Sequence, residues 1–310
     1  MRIFNSITEV EGFKEAVLTL GTFDGVHLGH KKIIQRLAEL AAEKGGESVL
    51  LTFWPHPRMV IQGDDNSLKL LNTIEEKTSL LAKAGLQNLI IAPFTLDFSR
   101  MNYLEFVREI LVNTLQTRHL IIGHDHHFGK NREGSYEQLL ECAPAYDFTL
   151  EQVPAFEIDN VAISSSKIRT ALQEGDVEKA NHFLGYPYMA NGIVVEGKKR
   201  GRALGFPTAN IHIHEKYKLL PADGIYIVRV KCFDKYKNGM ASLGYNPTFS
   251  DTGKTLEINI FDFDKDIYGE KIEVEFLAFI RKEAKFAEVP ALIKQINADK
   301  AEALKFFNKH

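Results

Sequence analysis

The sequence is poor in cysteine. Its 310 residues hold two, Cys142 and Cys232. They lie far apart, match no metal-ligand spacing and are too few for a disulfide framework, which points to a reducing compartment. No apolar run is long enough to span a bilayer. The first residues lack the basic, apolar and small-residue order of a secretion signal. A cytoplasmic protein with no membrane partner is the expectation. Strong charge of one sign is also missing: the formal net charge is −3, so no overall basic field invites nucleic acid. There is no internal repeat and no low-complexity tract. No Gly-x-x-x-x-Gly-Lys-Ser/Thr run occurs, which argues against a P-loop kinase. What remains is an ordinary globular composition on a chain long enough for two domains.

The chain is organised around residues 21–30, read Gly-Thr-Phe-Asp-Gly-Val-His-Leu-Gly-His. A β-prone run, 16–20, enters it. A helical pattern leaves it, with apolar positions at Ile33, Ile34, Leu37, Leu40 and Ala41. Strand, glycine-bearing turn and helix start place free backbone N–H groups at the mouth of a cleft, where the helix dipole attracts phosphate. Gly21, Gly25 and Gly29 let the backbone approach a ligand closely. His27 and His30 flank Gly29. Two imidazoles there can donate hydrogen bonds to phosphates during nucleotidyl transfer, an electrostatic role and not a nucleophilic one.

Further strand-type runs at 48–53, 89–92, 119–122 and 148–153 alternate with helical patterns at 75–84, 101–115 and 133–142. That alternation predicts a parallel sheet covered on both faces. Ligands bind such sheets at the carboxyl ends of the strands, where 21–30 and 123–129 both fall. Three histidines and Asp125 in 123–129 admit a metal reading, although the spacing fits no zinc pattern; the other reading is a strand-end loop lining the cleft. Ser164, Ser165 and Ser166 read as the start of a helix. Capping and phosphate binding use the same free N–H groups there. Arg169, about one turn in, could reach the same anion with its planar fork.

After a helix at 176–184 and a linker-like 186–188, the pattern changes. Strands are predicted at 191–196, 224–232, 240–245, 255–261 and 271–280, several with strict alternation, which argues for an antiparallel sheet or small barrel. An amphipathic helix at 289–307 has Ala291, Leu292, Gln295, Ile296 and Leu304 on its apolar side. The basic run 197–202 reads as a solvated loop or a nucleic-acid patch. It leads into Gly205-Phe206-Pro207-Thr208-Ala209-Asn210. Thr208 and Asn210 point the same way on a strand. Their oxygens suit a Mg²⁺ ion that also holds phosphates.

These motifs carry a resemblance. Gly-x-Phe-Asp-Gly-Val-His-x-Gly-His resembles the flavin adenylyltransferase branch of the nucleotidylyltransferase superfamily, with Thr22 where relatives often have Asn. The 163–169 segment is similar to that branch's Ile-Ser-Ser-Thr-x-Ile-Arg, with Ser166 in place of Thr. Residues 201–210 resemble the riboflavin-kinase hallmark Gly-Arg-x-Leu-Gly-Phe-Pro-Thr-Ala-Asn, and 244–249 and 256–264 resemble further parts of that family. Nearly the whole chain is similar to the prokaryotic bifunctional riboflavin kinase/FAD synthetases.

The resemblance implies a Rossmann-like α/β nucleotidylyltransferase domain at 1–185. It implies a small antiparallel β-barrel with a C-terminal helix at 186–310. It implies ATP, riboflavin and FMN as substrates, Mg²⁺ as cofactor and no nucleic-acid partner; oligomeric state stays open, with weak self-association as one outcome. His27, His30 and Arg169 would stabilise adenylyl transfer. Gly21, Thr22, Phe23, Asp24, Gly29, Asp125, Ser164 and Ser165 would hold ATP and its phosphates there. Gly201, Gly205 and Pro207 would do so in the kinase, with Thr208 and Asn210 on the metal. Glu257 would be the base that takes the riboflavin hydroxyl proton. Phe128, Asn246, Thr248, Phe249 and Arg281 would contact flavin. The alternatives are a different phosphorylated acceptor for the first domain, or a flavin-sensing regulator built on enzyme relics.

Overall fold

The interior strands of the first half are apolar on both faces because both faces of a parallel sheet are covered. The computed structural model describes residues 1–63, 68–124, 127–130, 133–197, 201, 204–233, 235–245 and 254–309. They fall into two compact units, Met1–Ser165 and Ser166–His310.

The first unit runs β1 (Arg2–Phe4), β2 (Ala16–Leu20), α1 (Leu28–Lys44), β3 (Ser48–Trp54), α2 (Pro57–Ile61), α3 (Ile74–Lys83), β4 (Asn88–Pro93), α4 (Leu96–Ser99), α5 (Tyr103–Glu105), a π-helical stretch Phe106–Thr114, β5 (Thr117–Gly123), α6 (Tyr136–Tyr146), β6 (Thr149–Val153), and a small hairpin of β7 (Glu157–Ile158) and β8 (Val161–Ala162). The sheet order is β1-β4-β3-β2-β5-β6, with every pairing parallel. From β2 the chain steps outward through β3 to β4, then returns to place β5 on the other side of β2. The carboxyl ends of β2 and β5 therefore flank the topological switch point, the crevice where open α/β sheets bind ligands. Leu18, Val49, Leu51, Ile90 and Ile122 are buried in the core beneath it.

Two predicted helices differ in detail. The 101–115 pattern becomes α5 and then π-helix: Leu115 N–H donates to the Ile110 carbonyl five residues back, at 2.9 Å. The wider turn keeps Phe106, Val107 and Leu111 buried. The 133–142 helix starts later, at the Ser135 cap, and continues through Pro144 to the left-handed Asp147. The edge strand β1 was not predicted.

The second unit begins with α7 (Ser165–Glu174, its first residue counted with the first unit) and α8 (Val177–Leu184). Then follow β9 (Tyr188–Val195), β10 (Ala209–His212), β11 (Gly224–Cys232), β12 (Lys235–Tyr245), β13 (Lys254–Ile260), β14 (Lys271–Arg281) and α9 (Val289–Phe307). The strands close an antiparallel barrel in the order β10-β13-β12-β11-β14-β9. Tyr188 is not linker: it opens β9, is fully buried, and its hydroxyl donates to the Leu219 carbonyl at 2.6 Å. Asn181 ties α8 to the barrel, donating to the Phe276 carbonyl and accepting from Tyr188 N–H.

The docked face of α9 differs from the predicted one. Leu304 and Ala291 are exposed. Ile296, Ala303, Phe306 and Phe307 pack on Ile227, Met240, Phe261 and Ala278, and Asp299 is buried among them. A charged residue on the inner face shifted the apparent stripe.

Candidate active sites

In the first unit the helix start is built around His27. It is the N-cap of α1, and its Nδ1 accepts the His30 backbone N–H at 3.3 Å. With Nδ1 used as acceptor, the ring proton of His27 sits on Nε2. Gly29 makes the fold-back feasible: a Cβ there would stand 3.2 Å from the His27 ring. The His27 and His30 rings stack at 3.6 Å between centroids, and Phe23 stacks on the other side of His30 at 4.5 Å. His30 is held well below the usual histidine pKa, by burial first and then by the neighbouring His27 and Lys77. It is therefore neutral at pH 7. Its Nδ1 is buried with no hydrogen-bond partner among the described residues.

The rest of the loop is tied down from below. Gly21 N–H donates to the Leu51 carbonyl. The Thr22 carbonyl accepts from Lys77 Nζ at 2.9 Å and from Thr52 Oγ1 at 3.4 Å. The Asp24 carboxylate faces inward and accepts the Leu71 and Asn72 amides. Ser165 Oγ donates to the Asp24 carbonyl at 2.8 Å, which joins the third motif to the first. Ser164 directly precedes it; Arg169 lies half-buried on α7, in the second unit. Asp125 lies outside the described residues, and the histidines beside it form no three-residue ligand group among the described residues. Phe128 is buried at the end of a run of rings: Phe53, Phe94 and Phe98 touch one another at 5.3–5.6 Å, and Phe98 leads through Phe106 to Phe128. This aromatic patch at the carboxyl ends of β3 and β4 was not read from the sequence, although phenylalanines closing successive strands were its signal.

In the second unit, register does the assembling. Val195, Asn210, Glu257, Ser242, Ile225 and Arg281 stand opposite one another in turn around β9, β10, β13, β12, β11 and β14. Directly opposed residues share a face. This is the outer face, since Tyr226, Val228 and Leu256 fill the barrel. A cavity of about 280 Å³ lies there under α9, lined among others by Gly201, Thr208, Glu257, Arg281, Glu283 and Asp299. Thr208 Oγ1 donates to Glu257 Oε2 at 3.4 Å. The Pro207 carbonyl accepts from Asn259, which fixes the approach to β10. Gly205 turns that approach at φ +85°. Asn210 lies over Gly197, where a Cβ would come within 2.0 Å of its Nδ2. The Arg281 guanidinium is engaged by both Asp299 oxygens at 2.9 and 2.7 Å, and Gln295 donates to the same carboxylate. Asn246, Thr248 and Phe249 lie outside the described residues, as do Lys198, Lys199, Arg200 and Arg202.

A crevice at the sheet's switch point with paired histidines, followed by an antiparallel barrel with a Thr208–Glu257 pair in an outer cavity, fits a two-unit nucleotide-using transferase. Comparison with known proteins gives the same division. The FAD synthetase family matches residues 10–167 and the riboflavin kinase family residues 184–307. A bifunctional riboflavin kinase/FMN adenylyltransferase of Listeria monocytogenes is 40% identical, covering 94% of this chain and 93% of its own. The Bacillus subtilis protein of the same name is 36% identical over 95% and 93%. A solved Streptococcus pneumoniae structure, described as a macrolide-efflux protein, is 31% identical, with TM-score 0.88 over 96% of this chain and 97% of that one. The chain belongs to the bifunctional riboflavin kinase/FMN adenylyltransferase family. Its C-terminal unit phosphorylates riboflavin to FMN with ATP, and its N-terminal unit transfers AMP from ATP to FMN, giving FAD and pyrophosphate. The acceptor is thus FMN and the chain is an enzyme, not a relic. Among the described residues no helix is long and apolar enough to cross a membrane.

Proposed function

We propose that the two reactions run on the residues named above. In adenylyl transfer, a phosphate oxygen of FMN attacks the α-phosphorus of ATP and pyrophosphate leaves. His27 Nε2–H and His30 donate to the phosphate oxygens on which charge grows. The Gly21–Gly29 backbone and the Ser164–Ser165 helix start receive the phosphates, Arg169 holds the leaving pyrophosphate, and Asp125 contacts the nucleotide. Asp24 acts through the loop, because its carboxylate already holds two backbone amides. The aromatic patch from Phe53 to Phe128 gives the flavin ring a stacking wall.

In the kinase reaction, Glu257 accepts the proton of the riboflavin hydroxyl as that oxygen attacks the γ-phosphorus of ATP, and ADP leaves. Thr208 and Asn210 supply neutral oxygen donors beside Glu257, a donor set that fits Mg²⁺ sharing the ATP phosphates. When bound, that ion neutralises charge on the transferred phosphoryl group. Gly201, Gly205 and Pro207 shape the phosphate-binding turn. Asn246, Thr248, Phe249 and the Arg281 wall take the flavin side. The activities divide near residue 185, the protein acts in the cytoplasm, and any self-association is weak.

The observation that carries this reading is the His27–His30 stack at the start of α1, at the sheet's switch point. The test is His30→Ala, followed by chromatography of both flavin products. FAD formation from FMN should fall about 100-fold or more, as for loss of a transition-state donor, with FMN formation from riboflavin unchanged. Equal loss of both activities would contradict two separate centres.

A further inference from the structure

The turn between β2 and α1 runs through backbone that L-residues rarely adopt: Phe23 has φ +47° and Val26 has φ +37°. Such a loop keeps its shape only where its surroundings over-determine it. Three of its supports are ordinary: the Asp24 carboxylate on two amides, Ser165 on the Asp24 carbonyl, and the Thr52 hydroxyl on the Thr22 carbonyl. The fourth is not. Lys77 is 5% exposed on α3, and its ammonium donates to the Thr22 carbonyl at 2.9 Å. Removing an ammonium from water is costly. Burial lowers the Lys77 pKa to about 8, against the attraction of Asp24, which favours the charged form. The other titratable group it faces is His30, whose pKa is lowered by burial first, then by His27, and last by Lys77 itself.

The placement has a direct consequence for the reacting centre. Thr22 and Phe23 share one planar trans peptide, so a carbonyl drawn toward Lys77 turns the Phe23 N–H the opposite way. Phe23 in turn stacks on His30. We propose that Lys77 is a positioning residue of the adenylyl-transfer centre: its hydrogen bond to the Thr22 carbonyl fixes the 22–23 peptide, and with it the Phe23 ring against which His30 is oriented. The inference rests on the assignment of His27 and His30 made above.

The test uses the full chain with Lys77→Met, which removes donor and charge, and Lys77→Gln, which keeps an N–H donor without the charge. FAD formation from FMN and ATP is measured beside FMN formation from riboflavin in the same preparation. Folding of the first unit is followed by fluorescence of Trp54, the chain's single tryptophan. Lys77→Met should lower kcat for FAD formation roughly 10- to 100-fold, with both KM values within about twofold and FMN formation unchanged, the pattern of a lost transition-state contact. Lys77→Gln should recover at least about threefold of that loss. A folded Lys77→Met with kcat within about threefold of wild type overturns the proposal. If Lys77→Met does not fold, Lys77→Gln decides. Folded and within about tenfold of wild type, it supports a donor role; folded and slower, it overturns it. His30→Ala is run alongside. If that variant still makes FAD, the centre itself is misassigned; if it is dead while Lys77→Met is normal, only the Lys77 inference falls.

Discussion

Asp299→Ala should loosen the wall of the riboflavin kinase cavity. Asp299 sits on the inner face of α9 with its side chain 4% exposed, and its partner Arg281 on β14 is 22% exposed. Two charge-assisted bonds from Arg281 and one from Gln295 end on this carboxylate. Breaking a fully buried ion pair by removing one partner costs about 3–5 kcal/mol. The Arg281 head reaches some water, so the loss should sit lower, at about 2–3 kcal/mol. For a unit of this size, that is roughly 6–12 °C in melting temperature. Because Asp299, Leu292 and Ile296 line the cavity, the KM for riboflavin should rise while FAD formation from FMN stays normal. The assay is calorimetry of the full chain with product chromatography, and Trp54 fluorescence as the reporter of the first unit. A barrel transition shifted by less than about 2 °C, with KM unchanged, would show that α9 is held by its apolar contacts alone.

What the sequence disclosed, it disclosed through local order. β2, β3 and β5 were legible because interior parallel strands are apolar on both faces. His27 and His30 were legible because strand, turn and helix start place them together within ten residues. Glu257 is legible as outward-facing because it alternates with Leu256 and Ile258, and both of these are buried in the barrel. The groups that escaped are those whose environment is supplied by distant chain. Lys77 looks like the polar side of an ordinary helix; its partner, the Thr22 carbonyl, lies 55 residues away in sequence. Asp299 looks like a solvent position on α9, and it misdirected the apolar stripe toward Leu304. Nothing near it in sequence announces Arg281 as its partner. Tyr188 reads as linker beside Pro187, yet proline is tolerated just before a strand begins. A buried charge with a remote partner has no periodicity, and so it leaves no trace in a pattern read along one segment.

The remaining expectations follow from geometry and charge. Gly197→Ala would place a Cβ 2.0 Å from Asn210 Nδ2; FMN formation should fall about tenfold or more and need more Mg²⁺, a titration of activity against Mg²⁺ being the check. Glu257→Gln should slow FMN formation about 10²- to 10⁴-fold and spare FAD formation from FMN; a normal rate removes Glu257 as the base. Acid should destabilise the first unit through His30. Its folded pKa lies well below 6.5, so below pH 6.5 the unfolded chain binds a proton that the folded one does not, and stability falls with pH until the folded value is reached. Each such proton is worth up to about 1.4 kcal/mol per pH unit. His119, lowered by burial and by Lys44, adds to the same slope. Lys77 acts at the other end: folded at about 8 against 10.5 unfolded, it makes stability rise with pH across that window. Urea unfolding followed by Trp54 fluorescence at pH 5 and pH 7 should therefore show a smaller acid loss in His30→Ala than in wild type. Equal losses would mean that His30 takes up its proton as readily in the folded protein as in the unfolded one, and a neutral His30 would have to be given up.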